Sequence, residues 1–255
     1  MTSIHKKTSI YDAVFISPHL DDAVLSAGLE IASLVKNKQT VLVITVFCRG
    51  SQAKSKDSQH FLSNSRATSA DILFQRRRQE DTTAMQILGA KSLHLSYIDA
   101  LFRKDSDQHL YPAFGDVFSG KVLHKDAALI DTLRAELHDL LENHTNKITK
   151  LYAPLGVGLH IDHIITHEVC QRLADRWSFW EDIPYQAEAA QTIKRLAELS
   201  WAGNNYTKET TFRPELAQLK KRAVSAYVSQ IVGLEANGMC TTHYSMELLY
   251  SAIKI

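Results

Sequence analysis

The chain has 255 residues, of which 45% are hydrophobic and 22% charged, and this composition excludes a disordered protein. Its 29 lysines and arginines nearly balance 28 aspartates and glutamates, which argues against a broad nucleic-acid face but leaves a local patch open. The longest apolar run, residues 41–48, is far shorter than the about 20 residues of a membrane helix. No apolar segment of signal-peptide type follows the N-terminus, so we predict neither a leader nor a membrane span.

The three cysteines, Cys48, Cys170 and Cys240, are odd in number and far apart in the sequence. They form no CxxC pair, which argues against a disulfide framework and against a cysteine zinc site. Free thiols of this kind are typical of a reducing compartment. We therefore expect a cytoplasmic protein.

Short apolar segments alternate with amphipathic ones through the first two thirds of the chain. The apolar segments predict strands at residues 13–17, 40–47, 92–95 and 148–153. Helical spacing of apolar residues predicts helices at residues 22–36, 76–88, 127–143 and 162–174, and Gly89 is the expected stop of the second one. Strands that alternate with helices predict an α/β protein, with a mostly parallel sheet flanked by helices.

The last third of the chain is less regular, because Pro184 and Pro214 interrupt it. A helix is expected at residues 215–230 and a final strand at residues 247–255. No segment rich in Pro, Gly or Ser marks a domain boundary, so we predict a single domain over residues 1–255.

Two long polar stretches, residues 49–75 and 100–125, follow the second and third predicted strands. Loops of this length are uncommon in compact domains and often shape a binding site. Both leave carboxyl ends of strands, where open parallel sheets bind ligands. We therefore expect these two stretches to choose the substrate.

The segment Ser17-Pro-His-Leu-Asp-Asp22 lies where the first predicted strand ends and a helix begins. His nitrogen and carboxylate oxygen are zinc ligands, and a tight turn can direct His19 and Asp22 at one ion. Asp21 would then point elsewhere and could accept a proton from water. The alternative is that Asp21 or Asp22 caps the helix, which is common for Asp at such a turn.

A second cluster follows the fourth predicted strand, in Gly158-Leu-His-Ile-Asp-His-Ile-Ile-Thr-His167. His160 and His163 adjoin Asp162 at a strand end that faces the expected site, which favours a functional role. A histidine from here would complete a ligand set of two His and one carboxylate. For His167, packing in the interior is the favoured interpretation.

These two segments resemble motifs of the PIG-L/LmbE-like zinc N-deacetylases, which act on N-acetylglucosamine-type groups. The family motifs, roughly Pro/Ala-His-Pro-Asp-Asp-Glu and His-x-Asp-His, correspond to residues 18–22 and 160–163. Further segments are similar and keep the family order over about residues 11–230; they are residues 77–80, 97–99, 180–185 and 221–230. The resemblance implies a Rossmann-like fold.

The resemblance also implies a role for each matching residue. His19, Asp22 and His163 would bind Zn²⁺, although Fe²⁺ also suits two histidines and one carboxylate. Asp21 would be the general base. His160 would be the cation or acid beside the developing oxyanion and the leaving amine, with Asp162 orienting it. The expected substrate contacts are Arg77 and Asp99.

Departures from the family pattern leave the substrate open. Leu20 replaces the usual Pro, Ala23 replaces the usual Glu, and Leu29 stands where a second Gly is common. The expected activity is removal of an N-acetyl group from an N-acetylglucosamine-containing small molecule or glycoconjugate. The alternatives are a metal amidase on a non-sugar N-acyl amine or thiol-cofactor conjugate, and a non-catalytic binding module of the same fold.

Two further points concern nucleotides and assembly. The glycines at 156 and 158 lack the third glycine of a dinucleotide fingerprint, because Ile161 stands at its position. We therefore do not expect a nucleotide-binding protein. The partner we expect is a small-molecule or glycan substrate, without nucleic acid, and a homo-oligomer remains open.

Overall fold

The strands of the protein are short, and those at the centre of the sheet are mostly apolar, as expected for strands covered on both faces. They are β1 (Ala13–Ser17), β2 (Val41–Thr45), β3 (Lys91–His94), β4 (Lys104–Asp105), β5 (Gln108–His109), β6 (Lys150–Pro154), β7 (Trp177–Trp180), β8 (Tyr206–Phe212) and β9 (Met246–Ala252). The helices are α1 (Asp22–Lys36), α2 (Lys56–Asn64), α3 (Ala70–Leu88), α4 (Phe114–Val117), α5 (Ala127–His144), α6 (Ile161–Leu173), α7 (Ala189–Trp201) and α8 (Ala217–Val224). These come from a computed structural model, which describes residues 9–52, 54–185, 189–231 and 244–253.

Within these ranges, seven strands form one sheet in the order β3-β2-β1-β6-β7-β9-β8. The first five are parallel, and β9 pairs antiparallel with both β7 and β8. The chain runs outward from β1 to β2 and β3, then returns to place β6 on the other side of β1. The carboxyl ends of β1 and β6 therefore flank the topological switch point, where sheets of this type bind ligands.

Alternate side chains of β1 enter two separate hydrophobic cores. Val14 and Ile16 join the apolar faces of α5 and α6 on one side of the sheet. Ala13 and Phe15 join α1, the last turns of α3, and α8 on the other side. Both faces of the sheet are thus covered by helices, which confirms the predicted α/β class with a mostly parallel sheet flanked by helices.

The sequence predicts several elements closely. The bounds of β1 and α1 are those expected, and α3 ends as predicted at Gly89, whose φ of 78° lies in the left-handed region. Strands β2, β3 and β6 and helices α5 and α6 lie within about three residues of their predicted bounds.

Two expectations about the chain are wrong. Neither long polar stretch is a structureless loop, because α2 and the first turn of α3 lie within residues 49–75, and β4, β5 and α4 lie within residues 100–125. Ser55 and Ser69 cap α2 and α3 through their hydroxyl groups. The helix expected at residues 215–230 is regular only over α8, with a second short helical stretch at residues 228–231.

Other expectations concern thiols and membranes. Cys48 and Cys170 are buried free thiols, whereas Cys240 lies outside the described residues. The helices in the described ranges include none that is long and apolar enough to cross a membrane.

Candidate metal centre

A serine side chain closes the turn after β1. The carboxylates of Asp21 and Asp22 in this turn are therefore free for other contacts. Ser17 Oγ accepts a hydrogen bond from the backbone N–H of Ala23 at 3.1 Å and donates to the carbonyl of His19 at 2.8 Å. Ser17 therefore satisfies one of the free N–H groups in the first turn of α1. The alternative that Asp21 or Asp22 serves as the side-chain cap of this helix is wrong.

Asp22 lies between two histidines that come from different strand ends. Its Oδ2 is 3.1 Å from His19 Nδ1 and 3.2 Å from His163 Nε2. The same oxygen accepts the backbone N–H of His19 at 2.8 Å, which fixes the turn around it. His163 Nε2 is buried without a hydrogen-bond partner in the described part of the chain. A buried ring nitrogen of this kind needs a ligand or a proton donor.

The outer nitrogens of both rings meet carboxylates. His19 Nε2 lies 3.1 Å from Asp162 Oδ2, and His163 Nδ1 lies 2.7 Å from Asp182 Oδ1. A neutral imidazole that donates from one nitrogen to a carboxylate presents a lone pair on the other. A bound ion would require both rings to be neutral, and their lone pairs would then lie on the side of Asp22. This carboxylate–histidine pairing is typical of metal-binding histidines.

Asp182 is a site residue that the sequence analysis did not identify. Its Oδ2 accepts the backbone N–H groups of Gly156 and Val157 at 2.7 and 2.8 Å, so the loop after β6 holds this carboxylate in place. The sequence signals for Asp182 are its place within residues 180–185, which are similar to a family segment, and its position just after β7 at the same edge of the sheet as the predicted residues. Burial acts to lower the pKa of His163, but Asp22 and Asp182 raise it to about 9.

His160 is the N-cap residue of α6 and borders the same centre. Its Nδ1 accepts the backbone N–H of Asp162 at 3.1 Å, which assigns the proton of the neutral ring to Nε2. Burial and the nearby His19 hold the pKa of His160 well below its usual range. Asp162 contacts His160 only through this backbone N–H among the described contacts, whereas the Asp162 carboxylate faces His19 and Arg103.

Asp21 points to the other side of the turn, as expected. Its Oδ1 is 3.4 Å from Arg77 Nη2, and both side chains are buried. Burial raises the pKa of Asp21 to about 7, while the positive charge of Arg77 opposes that shift. A carboxylate with a pKa in this range is suited to accept a proton at neutral pH. Arg77, expected as a substrate contact, contacts Asp21 and lies over the ring of Phe74.

Asp99, the other expected substrate contact, lies beside His19. Its Oδ1 accepts the backbone N–H of Leu101 at 2.9 Å, and its Oδ2 is 3.7 Å from His19 Nε2. Burial raises the pKa of this carboxyl group. The structure thus brings all of the predicted site residues to one end of the sheet, where each of them is buried.

Two groups of donors in the described residues could hold an ion, each with atoms within 4.8 Å of one another; they are His19 with His160 and His163, and His19 with Asp99 and Asp162. The second group is the less suitable, because Arg103 and a backbone N–H already occupy Asp162. The predicted set of His19, Asp22 and His163 is not one of these two groups. Asp22 Oδ2 nevertheless lies between His19 Nδ1 and His163 Nε2, at 3.1 and 3.2 Å, and two histidines with one carboxylate are donor types that a divalent ion binds.

Aromatic rings border the histidines on the side of residues 100–125. The ring of Phe118 lies 4.9 Å from that of His160 and 5.6 Å from that of Tyr185, while Tyr185 is edge-on to His163 at 5.7 Å. Gly158 permits this packing, because a Cβ atom there would lie 2.4 Å from Tyr185. The backbone N–H of Gly120 donates to the carbonyl of Leu159, which ties residues 100–125 to the loop after β6.

The chain is similar to solved deacetylases over nearly its whole length. One is a deacetylase of the teicoplanin biosynthesis pathway, with a TM-score of 0.77 and 22% identity over 95% of this chain and 98% of that one. Another is the A40926 pseudoaglycone deacetylase, with a TM-score of 0.71 and 22% identity over 97% of this chain and 98% of that one. At this identity the likeness establishes the fold.

Curated relatives are similar in sequence. A 2'-N-acetylparomamine deacetylase of Niallia circulans is 25% identical over 87% of this chain and 81% of its own length. A protein of the same name from Streptomyces fradiae is 27% identical over 72% of this chain and 62% of its own length. The family model "PIG-L: GlcNAc-PI de-N-acetylase" matches residues 14–174, which include every predicted site residue. Because this match covers well over half of the chain, the protein belongs to the PIG-L family.

Proposed function

We propose that the protein is a metal-dependent hydrolase that removes an N-acetyl group from an amino sugar, with acetate and a free amine as products. The observation that carries this proposal is the position of Asp22 Oδ2 between His19 Nδ1 and His163 Nε2, at 3.1 and 3.2 Å. Each ring is held from behind by a carboxylate, so the donors are preorganised for an ion.

His19, Asp22 and His163 are the proposed ligands, and Zn²⁺ is the proposed ion, with Fe²⁺ as the alternative. A divalent ion bound there supplies Lewis acidity, which polarises an amide carbonyl and makes water a better nucleophile at neutral pH. One solved relative is titled as a zinc-inhibited form of teicoplanin deacetylase, so the amount of zinc is itself a variable to test.

Asp21 and His160 are the proposed catalytic residues. Asp21 accepts the proton of the attacking water, and its ion pair with Arg77 holds the carboxylate toward the turn. His160 Nε2–H donates to the oxygen on which negative charge develops, because its Nδ1 is occupied by a backbone N–H. The C–N bond then breaks to give acetate, and the amine leaves with the proton that Asp21 accepted from water.

The substrate class is supported by the family and by the curated relatives, which are named for an N-acetylated paromamine. A non-sugar N-acyl amine or thiol conjugate is the second candidate for the same chemistry. A binding module without catalysis is disfavoured, because the donors, the proposed base and the proposed oxyanion donor are all present and buried together. Arg77 and Asp99 remain proposed substrate contacts at the inner wall of the site.

The test combines metal content with acetate release, for the wild type and Asp21→Asn. We expect about one ion per chain in both proteins, because Asp21 is not a proposed ligand. Acetate release from N-acetylated amino sugars, 2'-N-acetylparomamine included, should fall roughly 10²–10⁴-fold in Asp21→Asn. Metal-free protein reloaded with graded zinc or iron identifies the active ion.

The matched control is Asp139→Asn, which changes an exposed carboxylate on α5 and should leave both measurements unchanged. Loss of the ion in His163→Ala but not in His160→Gln supports the proposed ligand set over the group of three histidines. Metal binding without acetate release from any amino sugar would contradict the substrate class. Wild-type protein that binds no ion would contradict the proposed function itself.

A further inference from the structure

A buried arginine connects the proposed centre to residues 100–125. Arg103 Nη1 donates to Asp162 Oδ1 at 2.6 Å, and Asp162 Oδ2 is the atom that faces His19 Nε2 at 3.1 Å. On its other side, Arg103 Nε lies 3.0 Å from Asp126 Oδ1. Tyr111 donates its hydroxyl proton to Asp126 Oδ2 at 2.5 Å. We call Arg103, Asp126 and Tyr111 the Arg103 cluster.

The cluster is enclosed on all sides, unlike an ordinary surface ion pair. Arg103 is 4% exposed and Asp126 is 1% exposed. The guanidinium group lies 5.4 Å from the ring centres of both Phe47 and Tyr111. It also donates to the carbonyl of Ile98 at 3.2 Å. Because removing charges from water is costly, this arrangement persists only if each charged group keeps its partners.

Asp162 needs the arginine in order to hold His19. The backbone N–H of Ala100 donates to Asp162 Oδ2 at 2.8 Å, and Arg103 occupies the other oxygen. These two contacts fix the plane of the carboxylate, so that Oδ2 meets the outer nitrogen of the His19 ring. The ring orientation in turn directs Nδ1 to Asp22.

We propose that Arg103, which lies within residues 100–125, is a positioning residue for the metal ligand His19 and acts through Asp162. Asp126 and Tyr111 hold Arg103 in this position. The inference rests on the metal centre of the proposed function. Residues 100–125 also carry Phe118, which contacts His160. The segment expected to choose the substrate therefore also serves as the outer support of the metal ligand.

The test measures zinc affinity by competition with a chromophoric chelator, for the wild type, Arg103→Lys, Arg103→Gln and Tyr111→Phe. Loss of an outer contact typically weakens metal affinity about 10–100-fold, and we expect this for Arg103→Gln. Arg103→Lys keeps the charge but cannot bridge both carboxylates, so a smaller loss is expected. Tyr111→Phe, at one further contact from Asp162, should give the smallest loss.

The matched control is Lys125→Gln, which breaks an exposed ion pair with Asp105 in the same segment without contacting Asp162. Its zinc affinity should equal that of the wild type. A second measurement follows the His19 ring nitrogens by long-range ¹H–¹⁵N NMR of the zinc-loaded protein. The wild type should show the proton on Nε2, and the Arg103 variants should shift that signal, which a role limited to folding would leave unmoved.

The outcomes separate this inference from the proposed function. Wild-type protein that binds no zinc overturns the proposed metal centre and, with it, the role of Arg103. Wild-type zinc affinity and an unshifted His19 signal in folded Arg103→Lys and Tyr111→Phe overturn the role of Arg103 alone. If Arg103→Gln fails to fold because two buried carboxylates lose their partner, these two variants carry the test.

Discussion

Two buried cations on opposite faces of the sheet differ in what their networks end on. On the side of α5 and α6, Arg103 leads through Asp162 to a histidine ring of the proposed metal centre. On the side of α1 and α8, Lys220 pairs with Glu247 at 2.7 Å, and both side chains are 2% exposed. Depth of burial and ion pairing are alike in the two networks.

The Lys220 pair, defined as Lys220 and Glu247, ends on backbone groups. Helix α1 is interrupted at Ala27, whose φ of −134° and ψ of 18° are not helical. The break leaves the N–H groups of Leu29 and Glu30 free to donate to the two oxygens of Glu247, at 2.7 and 3.1 Å. Glu247 thus caps the second half of α1 from β9.

This difference shows that a buried charge is not by itself a sign of a functional site. The Arg103 cluster supports a ring whose opposite nitrogen faces Asp22, whereas the Lys220 pair satisfies the ends of a broken helix. We therefore expect substitutions on the Arg103 side to change metal affinity, and substitutions at the Lys220 pair to change stability. The predictions below test that division.

The largest effect on stability is expected for Lys220→Met. The substitution leaves the buried Glu247 carboxylate without its cation, which typically costs about 3–5 kcal/mol of unfolding free energy. Urea unfolding of the metal-free protein measures the loss, and chelator competition measures the zinc affinity of the variant that remains folded. Zinc affinity should stay within twofold of the wild type, because the pair does not contact the proposed ligands.

Lys194→Met is the matched control, since Lys194 lies exposed on α7 and should tolerate the change with less than about 0.5 kcal/mol. Zinc affinity that falls about tenfold in Lys220→Met would remove the division between the two networks. It would mean that the break in α1 transmits strain to Asp22 at the start of that helix.

A smaller effect, on metal affinity, is expected for Asp182→Asn. The amide keeps an oxygen acceptor for His163 Nδ1, but it removes the negative charge and disturbs the contacts with the loop after β6. Outer contacts of this kind contribute about 10–100-fold to metal affinity. We expect a loss in that range by chelator competition, together with a smaller loss of stability in the metal-free protein.

Glu181→Gln is the neighbouring control, because Glu181 is buried but bonds Thr192 rather than a histidine. It should bind zinc as the wild type does. Equal losses of affinity in both variants would attribute the effect to disturbance of the segment after β7 and not to the Asp182–His163 contact.

The sequence identifies the parts of the site that form locally. His19, Asp21 and Asp22 occupy one turn between two strongly patterned elements, so their position at the site could be inferred, while their division into ligands and base stays a prediction. The supporting residues could not. Arg103 is a lone arginine in a polar stretch of the sequence. It is buried because the folded chain places this stretch against Asp162.

The fold shows the same limit. Strand β1 and helix α1 have continuous apolar patterns and are predicted to the residue. Strand β8 is an edge strand whose residues are mostly exposed Thr, Lys and Glu, so no alternation of apolar residues marks it. Helix α2 buries only Ser58 and Leu62 and depends on a serine cap, which leaves a weak sequence signal.

His167 is a third kind of buried polar group, because its ring forms no ion pair with the described residues. Its Nδ1 lies 2.9 Å from the carbonyl of Pro154, and its ring packs 4.4 Å from Phe179, which agrees with the packing role favoured from the sequence. Burial, with a contribution from Arg195, lowers its pKa to about 3. The unfolded chain, with an ordinary histidine pKa of about 6.5, therefore binds a proton that the folded protein does not.

Stability contributed by the neutral ring is complete above about pH 6.5 and falls by about 1.4 kcal/mol per pH unit below it, until the folded pKa is reached. Urea unfolding of metal-free protein at pH 7.5 and 5.5 should show a drop in the wild type about 1.4 kcal/mol larger than in His167→Gln, which keeps an N–H donor but does not titrate. His138→Gln, at an exposed histidine of α5, should follow the wild type. Equal drops in wild type and His167→Gln would mean that the buried ring takes up its proton without unfolding, and that a buried group in this protein needs no charged partner to become charged.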